Sequence, residues 1–293
     1  MTPRGSGLPL AGVDCYNIAG LARRRGPPVR VVEEAALEHD FWLERWREGQ
    51  IGFHKTHWNP MLTKHWPLLG IEAGTRVFVP LCGKSLDMRY LVSLGHEVVG
   101  IDLSEDAIDA FFSEGGESYE REELPAPSPS AERAPAESAL AEHPGDERSG
   151  EEGRGPRRSR PLVAHRGEGV TLYSGDFFDL RSLHLDGIGA VYDRGALVAL
   201  PDSMRGPYVA HLLDRIPIGT VLLVLALEYD RDLADGPPFH VPAAAVASMY
   251  GPQCEIEELD RVEDSSPPPR FVEAGLDVVE TVYRIRKVVD RHR

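Results

Sequence analysis

In the run Thr220-Val221-Leu222-Leu223-Val224-Leu225-Ala226-Leu227, every residue after the first is apolar. A strand with one wet face alternates in polarity, whereas a run without alternation belongs inside a sheet that is covered on both sides. A mostly parallel sheet with helices on both faces meets that need, so the expected fold class is α/β. The rest of the chain agrees. Strand patterns at 75–79, 96–101, 170–173, 190–192 and 278–288 are interleaved with helix patterns at 33–48, 86–94 and 104–112. Gly49 and Gly95 close the first two helices, and Ser85 is placed to cap the second.

Composition narrows the function classes. Of 293 residues, 42% are hydrophobic and 27% charged, which suits one sizeable core and excludes collagen-like or wholly disordered chains. The balance of 32 basic against 47 acidic residues gives −15, which repels phosphate backbones and anionic lipid surfaces, so no nucleic acid and no membrane is expected as a partner. Cys15, Cys82 and Cys254 are far apart and form no CxxC pair, so neither a disulfide framework nor a structural zinc site is indicated. The longest apolar run, 221–227, is short of the roughly 20 residues of a membrane-spanning helix, and the N-terminus lacks a continuous apolar signal core. The expected localisation is cytoplasmic.

Two segments depart from the α/β pattern. Residues 1–30 mix Gly, Pro and Arg23-Arg24-Arg25 without a period, and read as a disordered N-terminal extension, with a basic targeting sequence as the alternative. Between 114 and 160 the chain holds six Pro, six Gly and six Ser, one aromatic residue (Tyr119) and, alanine aside, only Leu124 and Leu140 as apolar anchors. Such a stretch cannot offset its chain entropy by burial. It is expected to be a disordered insertion, at about 115–165, in a single domain spanning 31–293.

In an open α/β sheet, ligands sit beyond the carboxyl ends of the strands. Four strand ends carry candidates. Pro80-Leu81-Cys82-Gly83-Lys84-Ser85 is a glycine turn after the first strand; Asp102 ends the second, nineteen residues past Gly83, about where an acid accepts ribose hydroxyls. Gly175-Asp176-Phe177-Phe178 offers a carboxylate and a ring for a base, and Asp193-Arg194-Gly195 follows the fourth strand. Each has a plainer reading: Asp102 as a turn residue, Cys82 as a small buried apolar group, and Asp193–Arg194 as a salt bridge. Trp42 and Trp46, at i and i+4, share one helix face, which is either core or a wall of rings against a cationic ligand. His54, His57 and His65 show no metal-ligand spacing.

Five motifs in one order carry a resemblance. Phe41-Trp42-Leu43-Glu44-Arg45-Trp46, Ile51-Gly52-Phe53-His54, Val79-Pro80-Leu81-Cys82-Gly83-Lys84-Ser85-Leu86-Asp87-Met88, Asp193-Arg194-Gly195-Ala196-Leu197 and Gly236-Pro237-Pro238-Phe239-His240-Val241-Pro242 resemble the thiopurine S-methyltransferase family, its bacterial members in particular. The similarity runs from about Phe41 to Lys287 and skips the insertion.

The resemblance implies a Rossmann-like fold with a seven-stranded, mostly parallel sheet and S-adenosyl-L-methionine as cofactor. It implies methyl transfer to a small-molecule thiol or thiopurine, or to a metalloid oxyanion such as selenite or tellurite, in a detoxifying role. Carried over by position, Trp42, Trp46, Leu81, Asp102, Asp176, Phe177 and Arg194 would contact the cofactor. Phe53 and Arg270 would face the acceptor. Arg194, with Asp193 orienting it or taking a proton, would act in catalysis by favouring the ionised acceptor. No metal is needed for an in-line displacement, and a monomer is expected. A halide or thiol methyltransferase of the same fold, and a silent cofactor-binding module with a protein partner, are the rival readings.

Overall fold

The computed structural model describes residues 39–125, 161–264 and 267–290. The expected tail at 1–30 and residues 126–160 of the expected insertion lie outside them.

Strands β1 (Arg76–Pro80), β2 (Glu97–Asp102), β5 (Val170–Ser174), β6 (Ile188–Asp193) and β7 (Val221–Glu228) are parallel to their neighbours in the order β5-β2-β1-β6-β7. At one edge β9 (Val279–Lys287) runs antiparallel between β7 and β8 (Cys254–Glu263). At the other, β3 (Glu120–Glu123) and β4 (Val163–Gly167) form an antiparallel pair on β5. The described sheet therefore has nine strands where seven are expected. The additional pair arises at the expected insertion: its flanks are strands, because Tyr119 packs on Phe112 and Leu162 is buried.

The β7 run explains the layering. Leu222, Val224 and Ala226 point into one core layer, with Tyr208, Val209 and Leu212 of helix α6 (Asp202–Leu213). Leu223 and Leu225 point into the other, with Ile108, Phe111 and Phe112 of helix α4 (Glu105–Gly115). The i, i+3, i+4 spacing on α4 is the apolar stripe such a helix needs, and each large side chain so buried contributes about 1.5–3 kcal/mol. Ser104 caps α4 by accepting from the Ala107 amide at 3.2 Å. That helix runs to Gly115, beyond the expected end at 112, and stops at Gly116 with φ 68°. Helix α3 (Asp87–Ser93) starts without a side-chain cap; Ser85 accepts from the Asp87 amide at 3.3 Å instead of capping as expected.

The other α-helices of the described residues are α1 (His39–Arg47), α2 (Pro60–His65), α5 (Ala196–Ala199), α7 (Ala243–Tyr250) and α8 (Pro269–Glu273), with three short 3-10 turns besides. The sheet order reverses at β1, which lies between β2 and β6. The crevice at such a reversal, beyond the strands' carboxyl ends, is where the chain is able to take up a ligand.

Candidate active site

A cleft of about 410 Å³ opens at that crevice. Its floor is the turn after β1. Leu81 has φ 45° and Gly83 φ 50°, an arrangement that costs energy at Leu81 and that glycine adopts freely at Gly83. A Cβ on Gly83 would stand 3.1 Å from the Trp46 ring, so glycine also lets that indole lie against the turn. The turn is tied to β2 by Asp102, whose carboxylate accepts from the Gly83 amide at 2.8 Å and the Ser104 amide at 2.9 Å. Burial raises the Asp102 carboxyl to about 6, against the lowering effect of these amides. A carboxylate has about four acceptor positions, so Asp102 serves the turn and keeps acceptor capacity at the cleft it lines.

One wall is aromatic. Trp42 and Trp46 project from α1 and are half-buried, and Phe53 meets both edge-on, at 5.8 Å and 5.6 Å between ring centroids. All three line the cleft, so the shared face of α1 forms its wall and is not part of the buried core. Arg45, three residues after Trp42, lines it too; its Nε is buried without a hydrogen-bond partner, while its guanidinium lies 4.4 Å from the Phe41 ring. Beyond β5, Asp176 caps the short helix Phe177–Asp179 by accepting from the Phe178 amide at 2.8 Å. Phe177 also lines the cleft but is mostly core, packed on Tyr208 at 4.8 Å and stacked with Phe78 at 6.5 Å.

The end beyond β6 separates two residues that are adjacent in the sequence. Arg194 lines the cleft. Asp193 does not: it is fully buried, accepts from the Ala196 and Leu197 amides at 3.1 Å each and from the Tyr208 hydroxyl at 2.6 Å, and so caps α5 from beneath. Expected to act with Arg194 in catalysis, Asp193 is held here in structural hydrogen bonds away from the cleft lining. Arg270 does not itself line the cleft; it is exposed, donates to the Pro237 carbonyl of the cleft wall at 2.6 Å and covers the Phe271 ring at 4.7 Å. Pro237 and Pro238 take the cleft wall there. Cys82 is buried, and burial together with nearby Asp102 raises its thiol well above the usual range, which leaves no nucleophile.

Arg45, Lys55 and Glu280 line the same cleft, and none of them stands out as a site residue in the sequence. Arg45 is within reach of sequence reasoning, since i+3 from Trp42 lies on the same helix face. Glu280 leaves only a weak sign, a charge inside a run of β-branched residues on β9.

Residues 37–133 and 136–288 match the family model described as Thiopurine S-methyltransferase (TPMT). The chain belongs to the thiopurine S-methyltransferase family. Thiopurine S-methyltransferase of Pseudomonas entomophila is 40% identical over 254 residues, covering 86% of this chain and 100% of that protein. The Shewanella woodyi protein of the same name is 36% identical, covering 86% of this chain and 99% of its own length. A solved structure from work on conversion of a disulfide bond into a thioacetal group during echinomycin biosynthesis shares the fold, with TM-score 0.52, 15% identity and 86% of this chain covered. This family member is an S-adenosylmethionine-dependent S-methyltransferase.

The residues present fit that cofactor. A glycine turn approached by an indole, an acidic strand end with acceptor capacity, and an orphaned buried guanidinium nitrogen supply partners for a ribose, a sulfonium and a carboxylate. Asp102 would hold the ribose, Asp176 and Phe177 the adenine, and Arg45 the carboxylate. The rings of Trp42, Trp46 and Phe53 would face the sulfonium, with an attraction of about 0.5–2 kcal/mol for each favourable ring–cation pair.

Proposed function

We propose that this enzyme methylates the sulfur of small apolar thiols, thiopurines among them, with soft metalloid oxyanions such as selenite and tellurite as secondary acceptors. The observation that carries this is Arg194: no hydrogen bond or ion pair engages its guanidinium among the described residues, and it faces a cleft walled by Phe53, Pro237 and Pro238. A cleft wall of aromatic and proline rings beside a guanidinium suits a flat ring bearing a soft anion better than a polyhydroxylated or cationic acceptor. The relatives' shared name supports the thiopurine part.

When bound, the cofactor supplies an electrophilic methyl on a sulfonium. The chain's contribution is to hold the acceptor in line with it and to exclude water. Arg194 stabilises the sulfur as its charge develops, and Lys55 adds positive potential from the same cleft. His54 is held neutral, its ring pushed below the ordinary histidine value first by burial and then by Lys84, so it is not a cation at neutral pH. We further infer a monomer working in the cytoplasm, which sedimentation and cell fractionation test.

The experiment is a panel. Purified enzyme with methyl-labelled cofactor meets thiopurines, aryl and alkyl thiols, selenite, tellurite and iodide, and products are identified by mass spectrometry. Thioethers as the dominant products support the reading. Methyl iodide in excess over every thioether supports the halide alternative, and no turnover with any acceptor supports the silent module.

A further inference from the structure

The cleft that Arg194 lines also holds a carboxylate that feels the charge of its guanidinium. Glu280 sits on β9, opposite Leu227 of β7 and Val262 of β8, and is half-buried in the cleft wall. A glutamate in that setting needs support, and a buried polar chain provides it. The Tyr192 hydroxyl donates to Asp87 at 2.9 Å, and Asp87 accepts from the Asn59 amide at 2.7 Å on its other oxygen. Asn59 uses its own carbonyl oxygen to cap α2, accepting from Met61 at 2.7 Å and Leu62 at 3.1 Å. That fixes the side chain by its oxygen and leaves its NH₂ group to act on Glu280, whose carboxyl it lowers as a hydrogen-bond donor does. The three members behind Glu280 are all buried, so the carboxylate is a positioned group and not a mobile surface charge.

We propose that Glu280 is the general base of this enzyme's reaction, taking the proton from the acceptor's S–H as the sulfur is alkylated. This inference rests on the thiol-methyltransferase reading above. The balance closes within the site. The S–H bond breaks and its proton goes to a Glu280 oxygen, while the sulfur electron pair forms the S–CH₃ bond. The methyl's bond to the sulfonium breaks and its pair stays on the departing sulfur, leaving neutral S-adenosylhomocysteine, a methyl thioether and a protonated Glu280 that returns its proton to water. Arg194 and Glu280 have complementary roles, because the guanidinium stabilises the sulfur and the carboxylate removes the proton that the guanidinium alone cannot accept.

The surroundings suit that role. Burial is the largest influence and raises the Glu280 carboxyl, Asp264 beyond β8 and Asp87 on α3 raise it further, and Arg194 after β6 and the Asn59 hydrogen bond oppose them; the result is about 7. Lys55 and Tyr192 also feel its charge. A base near the working pH is ionised in a large fraction of molecules and is still strong enough to take a thiol proton.

The test pairs a thiol that must lose a proton with one that has none to lose. With 2-mercaptoethanol, Glu280→Gln is expected to lower kcat by about 10²-fold or more, the range of general-base contributions. With 4-nitrothiophenol, already a thiolate at neutral pH, the loss is expected to stay within about threefold, and S-adenosylhomocysteine should bind equally well by calorimetry. Equal losses with both thiols, or a parallel loss of S-adenosylhomocysteine affinity, would make Glu280 a structural residue and overturn the proposal. A second measurement does not depend on the variant folding or on turnover: infrared difference spectra of the parent should show a carboxylic acid band that titrates near pH 7 and shifts in Glu280→Asp. Absence of that titration also overturns it. A parent that methylates no thiol defeats the thiol reading itself, whereas a parent that methylates both thiols but shows equal losses in the variant defeats only the base assignment.

Discussion

Asp102 ties the turn after β1 to β2 and lines the cleft through one carboxylate. Its oxygens hold the Gly83 and Ser104 amides, and its remaining acceptor positions face the cleft. Asp102→Ala is therefore expected to weaken S-adenosylhomocysteine binding by roughly 1.5–3 kcal/mol, the scale of hydrogen bonds to a charged group. Calorimetry on the folded variant checks this, and unchanged affinity would remove Asp102 from the ribose. Asp193 sets the opposite case, a charged residue that works only inside. Burial raises its carboxyl from 3.8 to about 6, against the Tyr208 hydroxyl and two amides that favour the anion. A folded-state value above the unfolded one means the native protein binds this proton more tightly, so stability is full below about pH 4 and declines as pH rises to about 6. Asp193→Asn abolishes that component, which at about 1.4 kcal/mol per unit amounts to about 3 kcal/mol at most. Urea unfolding at pH 4.5 and 7 should show the parent losing more stability than the variant across the interval; identical losses would contradict the assignment. The spacing of Trp42 and Trp46 is legible as one helix face, but the same spacing serves a core or a cleft. What decides it is Gly83, almost forty residues away, and no local pattern carries that contact.

At the scale of elements, the parallel strands are readable because burial on both faces forces continuous apolar runs such as that of β7. The edges are not. β8 carries Glu255, Glu257, Glu258 and Asp260, and a register shift between Glu258 and Asp260 breaks the alternation that would have marked it. An edge strand tolerates such charge, which discourages pairing with another chain. The expected insertion is too wide for a related reason: β3 is wholly exposed and acidic, so its composition matches the segment that follows it. Its ladder is nevertheless continuous, with the Leu124 amide donating to the Leu162 carbonyl at 2.9 Å where the two strands approach. Deleting 126–160 and joining the strands by a tight turn is expected to leave the thermal midpoint within about 3 °C, since loop length costs little. Deleting 120–165 removes buried Leu162 and Ala164 as well and should lower stability by about 2–5 kcal/mol. Equal midpoints for the two deletions would show that the β3–β4 pair contributes nothing to the core, and a large loss from the shorter one would show that 126–160 packs on it.

Over the whole molecule, the sheet brings residues from both ends of the described chain to one crevice, the tryptophans of α1 and Glu280 of β9 lining it together with the turn after β1. That Leu81, Asp102, Asp176 and Arg194 line one cleft is largely legible in the sequence, since they follow strand ends in order. Of the residues at the other side of the cleft, Phe53 and Arg194 also stand out in the sequence, whereas Lys55 and Glu280 do not, because only tertiary packing brings them there. On the proposed reading, Arg194 favours a soft anionic acceptor in this cleft, and sulfur receives the methyl. Carbon-13 NMR of the reaction with methyl-¹³C-labelled S-adenosylmethionine and 6-mercaptopurine reads the receiving atom directly. The expected result is a single labelled S-methyl resonance that accumulates with the parent and falls by at least about tenfold in rate with Arg194→Met. Label appearing on a ring nitrogen, or an S-methyl rate unchanged in Arg194→Met, would contradict S-methylation directed by this arginine.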